Sequence, residues 1–525
     1  MTLLQNNKNY LILFILILVV LFIRIGDINF IDGRYLWAED GDVYINQSFS
    51  SGWKSIIEPH VGYIHLYPRL VSLFAIQFDL SFLPTIFFLA WLGAVLFSSF
   101  VIFKWIYNNT GSSSVVMIIP LLVLLQPLSG ETFFNITNAQ WYLAIALIIL
   151  LIDKDYKLTL SNLPILILLG LTGPFSILVL PVLFLNIVLK RDIKENYLKY
   201  SLILVAALVQ IYFMTQSDRI GGTIDTNINH WIKSFYVFVT FGTKGVISLI
   251  SLALWSIVFV YIVKIFYNAC QKKLTANQIN GLLLFIGLII IYFAGLWSSK
   301  QAPLLLHPLD LTSRYFIIPY ALLTISLPLL IKNKKILAFV FSLVLVIEIA
   351  QINKGQYFDK PDLNYSSFAW FSTCVSNLTI PINPQWGSYP GWHISLKNNN
   401  EGYAKAININ LDNIQYLNAA YRNKILSSTN NQVIFDLPQN CYTSNHIGIE
   451  IDLTRAKQGW SRIFYADSKN SFSVKNSLGR YYPEGNITMQ FAFKNNNVKT
   501  IRLVDATEQK EELKIHNIRV YCEGK

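Results

Sequence analysis

The chain has 525 residues, of which 53% are hydrophobic and only 14% charged. Soluble domains carry about 25% charged residues, so a wholly soluble protein is excluded and a polytopic membrane protein is expected. The formal net charge is +12, but the Lys and Arg are spread over short segments between apolar stretches. No basic run is long enough to follow a phosphate backbone, which excludes nucleic-acid binding.

The first apolar stretch, Tyr10 to Ile23, is flanked by Lys8 and Arg24. It has the length of a signal peptide without a small-residue cleavage site, and reads as a retained signal anchor. Further spans are expected near 82–103, 115–130, 141–152, 160–171, 175–189, 199–215, 246–267, 279–297, 315–331 and 335–350, about eleven transmembrane helices in all. Lys104, Lys154, Lys157, Lys190, Arg191, Lys194, Lys199, Lys272, Lys273, Lys332, Lys334 and Lys335 fall on one side, and the opposite loops near 131–140 and 171–174 carry no Lys or Arg. By the positive-inside rule the N-terminus is then cytoplasmic. An odd number of spans places the tail outside, with loop 25–81 and the loops near 216–245 and 298–314.

Loop 25–81 contains Trp37-Ala38-Glu39-Asp40-Gly41-Asp42, three carboxylates in four residues, and then His60-Val61-Gly62-Tyr63-Ile64-His65-Leu66-Tyr67-Pro68-Arg69. A carboxylate suits proton removal from an attacking hydroxyl, above all where its surroundings raise its pKa. Asp40 or Glu39 is the candidate base. Asp42 can hold an acceptor, or a second carboxylate can bind a divalent metal; no other cofactor is implied. Arg69, Arg219 and Arg314 fall in external loops or at a membrane end, where a guanidinium can grip phosphate or merely snorkel. His65 can assist at the phosphate, and His60 and Tyr63 at a sugar. In Asn135-Ile136-Thr137-Asn138-Ala139-Gln140-Trp141, Asn138 and Gln140 can bond sugar hydroxyls and Trp141 can stack on a ring. The plainer account is a turn followed by an interfacial Trp. Gly170-Leu171-Thr172-Gly173-Pro174-Phe175 reads as a tight hairpin between helices.

The middles of the expected spans hold almost no Asp, Glu, Lys or Arg, groups that ion-coupled transporters usually need at depth. The chemistry is therefore expected in the external loops.

From about 351 long apolar runs vanish. Residues 351–430 read as a mixed segment with helices and an extended stretch, Leu378 to Pro384. Residues 431–525 read as a β-sandwich, from period-two runs at Gln432–Leu437, Ile447–Leu453, Thr488–Phe493 and Leu513–Val520. Its Tyr, Asn and Trp460 suit sugar hydroxyls and rings, so a role in orienting an acceptor is expected. Three cysteines lie in the tail, where one bridge can form: Cys441–Cys522 or Cys374–Cys441.

This plan resembles the GT-C superfamily of integral-membrane glycosyltransferases: many spans (1–350), an acidic motif in the first external loop, and an external C-terminal domain. It is similar to polyprenyl-phosphate-sugar-dependent bacterial enzymes, including O-antigen glucosyltransferases. The acidic pair of that family carries over to Glu39-Asp40, and no Trp-Trp-Asp triplet is present, which leaves metal use open. The tail resembles jelly-roll-like carbohydrate-binding modules at Ser461–Tyr465, Phe472–Ser477 and Ile501–Asp505. The resemblance implies inverting transfer of a hexose from a polyprenyl-phosphate donor to a cell-envelope glycan or lipid-linked acceptor, at the outer face of a bacterial inner membrane. Membrane lipids would surround the spans. A flippase or transporter of lipid-linked glycans, or an O-antigen-type polymerase, fits the same outline.

Overall fold

The computed structural model describes residues 3–25, 36–111, 113–128, 130–217, 227–271, 273–298, 306–310, 312–352, 360–385, 391–397, 406–417, 420–422, 425–466, 472–473, 477–495 and 497–523. Arg219 lies outside the described residues. The helices, in chain order, are α1 (Leu3–Ile25), α2 (Asn46–Ser51), α3 (Leu66–Ala75), α4 (Leu83–Thr110), α5 (Ser113–Leu125), α6 (Ala139–Ile152), α7 (Leu163–Gly170), α8 (Phe175–Leu178), α9 (Leu180–Lys190), α10 (Ile193–Thr215), α11 (Ile228–Val239), α12 (Val246–Cys270), α13 (Ala276–Ser298), α14 (Ile317–Leu330), α15 (Lys334–Gln351) and α16 (Tyr365–Phe371). Eleven strands follow: β1 (Asn377–Pro381), β2 (His393–Lys397), β3 (Ile407–Asn408), β4 (Gln415–Leu417), β5 (Ala420–Arg422), β6 (Ile425–Asp436), β7 (His446–Arg455), β8 (Gly459–Ala466), β9 (Ser477–Tyr482), β10 (Gly485–Lys494) and β11 (Thr500–Cys522).

A helix occupies each of the eleven expected span positions, but eleven membrane crossings are not confirmed. Among the described residues, five helices are long and apolar enough to cross a membrane: Leu80–Thr110, Ile193–Thr215, Val246–Cys270, Ala276–Trp297 and Ser313–Leu330. The stretch at 160–171 forms only the eight-residue α7, about 12 Å of helix. The stretch at 175–189 is divided at Val179 into α8 and α9. Helices α2, α3 and α11 lie in segments read as loops.

Two compact units divide the chain. The first comprises Met1–Ile28, Lys54–Val71 and Phe88–Asp359; the second comprises Asn29–Trp53, Ser72–Phe87 and Lys360–Lys525.

In the first unit α14 is buried along its whole length and α6 almost so, as expected of helices apolar on every side. Outward faces of α10 and α12 stay apolar, with Leu204, Leu208, Phe259 and Val263 exposed. The buried charges sit at helix ends, where unpaired carbonyls collect. Arg24 donates to the carbonyls of Gln126, just past α5, and of Ile352, just past α15 at 3.0 Å. Its guanidinium also lies 5.1 Å from the Phe133 ring. Glu348, fully buried one turn before the end of α15, interacts with it electrostatically. Lys199 Nζ donates to the carbonyls of Leu150, Asp153 and Tyr156, and Lys190 to that of Ile152, closing the far end of α6.

The second unit holds a hairpin, β1–β2, and a nine-stranded antiparallel sheet. Along one edge β11 trades partners: Thr500–Ala506 lies against β8, and Leu513–Cys522 against β7. Tyr465 of β8 stacks on Phe493 of β10 at 4.4 Å across the core, although these strands are not hydrogen-bonded to each other. Ile449, Ile451, Ile463, Phe491, Leu503 and Val520 fill that core. Three of the four period-two runs fall within strands, and the fourth, Gln432–Leu437, passes the end of β6 by one residue. The disulfide joins Cys441 to Cys522, and Cys374 is a buried free thiol.

Candidate functional site

The acidic motif belongs to the second unit. Its fold begins with Ala38, whose positive φ of 39° turns the chain. Ala38 N donates to Asn383 O at 2.6 Å, and Trp37 pairs with Asn383 as a bridge. Asp40 closes the turn twice: its N donates to Trp37 O at 2.7 Å, and its Oδ2 accepts from Trp37 N at 3.0 Å. The Lys360 ammonium covers the Trp37 ring at 4.5 Å. A π-helical turn then runs from Asp40 to Ile45, a winding that is rare and frequent at functional sites. Gly41 is required there, because a Cβ would stand 2.5 Å from Ile382 Cδ1 and 2.8 Å from Ile394 Cγ1.

The three carboxylates differ in setting. Asp40 is wholly buried, whereas Glu39 and Asp42 are partly exposed. Asp42 Oδ1 lies 3.4 Å from His393 Nδ1 on β2. The same nitrogen is 2.8 Å from Gly391 O. Both neighbours can accept, so Nδ1 is a nitrogen that carries a hydrogen. Burial raises the Asp42 pKa above the ordinary aspartate value, and His393 partly opposes the rise. Asn46 fastens the turn to the hairpin, donating to His393 O at 3.1 Å and accepting from Ser395 N at 2.7 Å. The partnership with His393 was absent from the sequence reading; nothing in the spacing marks a residue 351 positions away.

The remaining candidates belong to the first unit. His60 and Tyr63 exchange backbone hydrogen bonds of 3.0 and 3.3 Å around Val61 and Gly62, both at positive φ, as a tight two-residue hairpin turn demands. His65 lies 4.7 Å from the Tyr63 ring and 5.8 Å from the His60 ring, and pairs with Thr172. Gln210 fixes this segment, accepting from Ile64 N at 2.8 Å and donating to Gly173 O at 3.0 Å. His65 is buried, and so is Arg69, whose Nη1 donates to Ser55 O at 2.7 Å.

Arg314 is about one-third exposed and pairs with buried Glu131 at 2.9 Å. Asn138 is buried, donating to Glu131 O and accepting from Trp141 Nε1 at 3.1 Å. Gln140, also buried, donates to Thr137 O. Trp141 meets the rings of Phe175 and Tyr315 edge-on at 5.1 and 5.8 Å. The structure thus joins Glu131, Asn138, Trp141, Arg314 and Tyr315 into one polar and aromatic cluster. Sequence reasoning missed Glu131: it singled out Asn138, Gln140 and Trp141 in the same loop, but a lone carboxylate there carries no spacing signal. Among the described residues no three His, Cys, Asp or Glu side chains converge as a metal ion requires. No family model matches this chain, and no curated protein and no solved structure matches it either.

Proposed function

We propose that this chain is a membrane glycosyltransferase that takes a sugar from a polyprenyl-phosphate donor at the outer face of a bacterial inner membrane. The observation that carries the reading is the acidic π-helical turn, in which Asp40 is locked to Trp37 while Glu39 and Asp42 remain partly open. A carboxylate of the Glu39-Asp40 pair, most accessibly Glu39, takes the acceptor hydroxyl proton. The acceptor oxygen bonds to the anomeric carbon, the bond from that carbon to the phosphate oxygen breaks, and the phosphate departs. Within the helical unit, Arg314 is the candidate guanidinium left partly exposed, a group suited to phosphate. Buried Arg69 and His65 hold the loop that carries them, while His60, Tyr63 and Trp141 offer partly exposed surfaces to a sugar. The apolar helices fit a multi-pass chain among membrane lipids, and the β unit, read as a jelly-roll-like module, serves the acceptor.

The test is mass analysis of surface glycans from cells with and without the gene. Transfer predicts loss of one sugar. Single repeats would instead mark a polymerase, and disappearance of external glycan a flippase. An unchanged glycan would overturn the reading.

A further inference from the structure

The outer surface of β8, β9 and β11 carries a stripe of aromatic and arginine side chains. Trp460 is 45% exposed, the only large hydrophobic side chain of the described sheet residues left so open. It meets Tyr481, its register partner on β9, edge-on at 6.0 Å. Two residues along β8, Arg462 is exposed and lies across Gly479, where a Cβ would stand 3.0 Å from its Nε. Glycine there leaves a shelf for the guanidinium. Two residues further, Phe464 lies 4.6 Å from the Arg502 guanidinium, whose other contact is Phe472 at 4.5 Å. Alternation along the strand puts Trp460, Arg462 and Phe464 on one face.

Neither Arg462 nor Arg502 has a carboxylate partner among the described residues. Arg519, near the other end of the sheet, is by contrast neutralised by Glu450 at 3.0 Å and Asp452 at 2.7 Å. An arginine held without a counter-charge beside an exposed Trp is matched to a ligand that brings both a flat apolar face and an anion. A sugar ring presents axial C–H groups to an indole and, when acidic, a carboxylate to a guanidinium.

We propose that this stripe binds an acidic glycan, with Trp460 and Tyr481 stacking on a ring and Arg462 pairing with its carboxylate. The proposal deepens the transferase reading by naming the acceptor class, and rests on that reading only for the word acceptor. Binding is measured on the purified full-length chain in detergent by calorimetric titration, without any transfer reaction. The probes are an oligogalacturonate and, as a neutral control, maltohexaose. The oligogalacturonate is expected to bind more tightly than maltohexaose. Trp460→Ala should weaken it about tenfold, equivalent to about 1.4 kcal/mol, and Arg462→Gln should remove the preference for the acidic probe. Absence of oligogalacturonate binding overturns the proposal, as does binding that both variants retain, or binding shown equally to neutral sugar. Vesicles of anionic lipid that displace the oligogalacturonate through these same residues would assign the stripe to a membrane surface and overturn it too. A glycan profile unchanged by gene deletion, with these titrations intact, would sink the transferase reading and leave the binding face standing.

Discussion

His393 points its Nδ1 at Asp42 Oδ1 across 3.4 Å, with Gly391 O at 2.8 Å as the second acceptor. The pair ties the acidic turn to strand β2 and orients the imidazole. Because burial raises the Asp42 pKa, the folded state holds its proton more tightly than the unfolded state. Stability from this group is therefore present below the ordinary aspartate pKa and is lost as pH rises through the raised value. Thermal unfolding followed from about pH 4 upward should show this decline, and Asp42→Asn should flatten it. An unaltered slope in the variant would assign the decline to other groups.

Asp40 and Glu39 should separate in their effects. Asp40→Asn weakens the bond from Trp37 N, and a loss of about 1–2 kcal/mol is expected, read as a lower unfolding temperature. Glu39 is partly exposed, so Glu39→Gln should leave the unfolding temperature unchanged while cutting transfer in cells about a hundredfold or more. Wild-type glycan in the Glu39→Gln strain, with normal protein abundance, would remove Glu39 from the base role.

Arg24 is predicted to be the costliest single change in the helical unit. Its guanidinium serves the carbonyls beyond α5 and α15 and faces buried Glu348. Arg24→Met would leave that carboxylate without its cation and the carbonyls without donors, a cost of about 3–5 kcal/mol. The double variant Arg24→Met with Glu348→Gln should recover part of it. Equal thermal stability of single and double variants would show that the two groups are not coupled.

Local patterns were legible, and distant partnerships were not. The apolar stretches became helices, and alternation at Ile447–Leu453 and Leu513–Val520 became β7 and β11, because burial on one face is written residue by residue. Trp37–Asp42 and the extended stretch Leu378–Pro384 are each visible in the sequence, but their partnership is not: Ala38 N bonds to Asn383 O, and the turn lies in one compact unit with residues 360–525. Pairing across hundreds of residues leaves no periodic mark. The same holds for Glu131 and Arg314, 183 positions apart. Tyr465, which alternation along β8 alone would allow to face a ligand, stacks on Phe493 within the core. It is a poor probe of sugar binding for that reason, and Trp460 is the better one.

The bridge between Cys441 and Cys522 closes a loop of 81 residues. Chain-entropy arguments for a loop of that size give about 4.5 kcal/mol, so Cys441→Ser should lower the unfolding temperature of the β unit clearly. Maleimide applied to the native, unreduced chain should label exposed Cys270 and spare buried Cys374. Rapid native labelling of Cys441 or Cys522 would show that the bridge is not formed in the cell.

The last prediction concerns sidedness. The far end of α6 is held by Lys190 and Lys199, and Lys154 and Lys157 lie just beyond it. Near the start of α6, Tyr142 meets Trp91, which meets Phe133 beneath Arg24. The end of α6 rich in lysine is therefore the expected cytoplasmic one. Helix α15 starts at Lys334, beside Lys332 and Lys335, and its other end is the one Arg24 caps. Residues after Gln351 should then lie outside. Alkaline phosphatase fused after residue 400 should be active, and after residue 333 inactive. The reverse pattern would put the acidic turn's unit in the cytoplasm, where a polyprenyl-phosphate sugar presented at the outer face could not reach it.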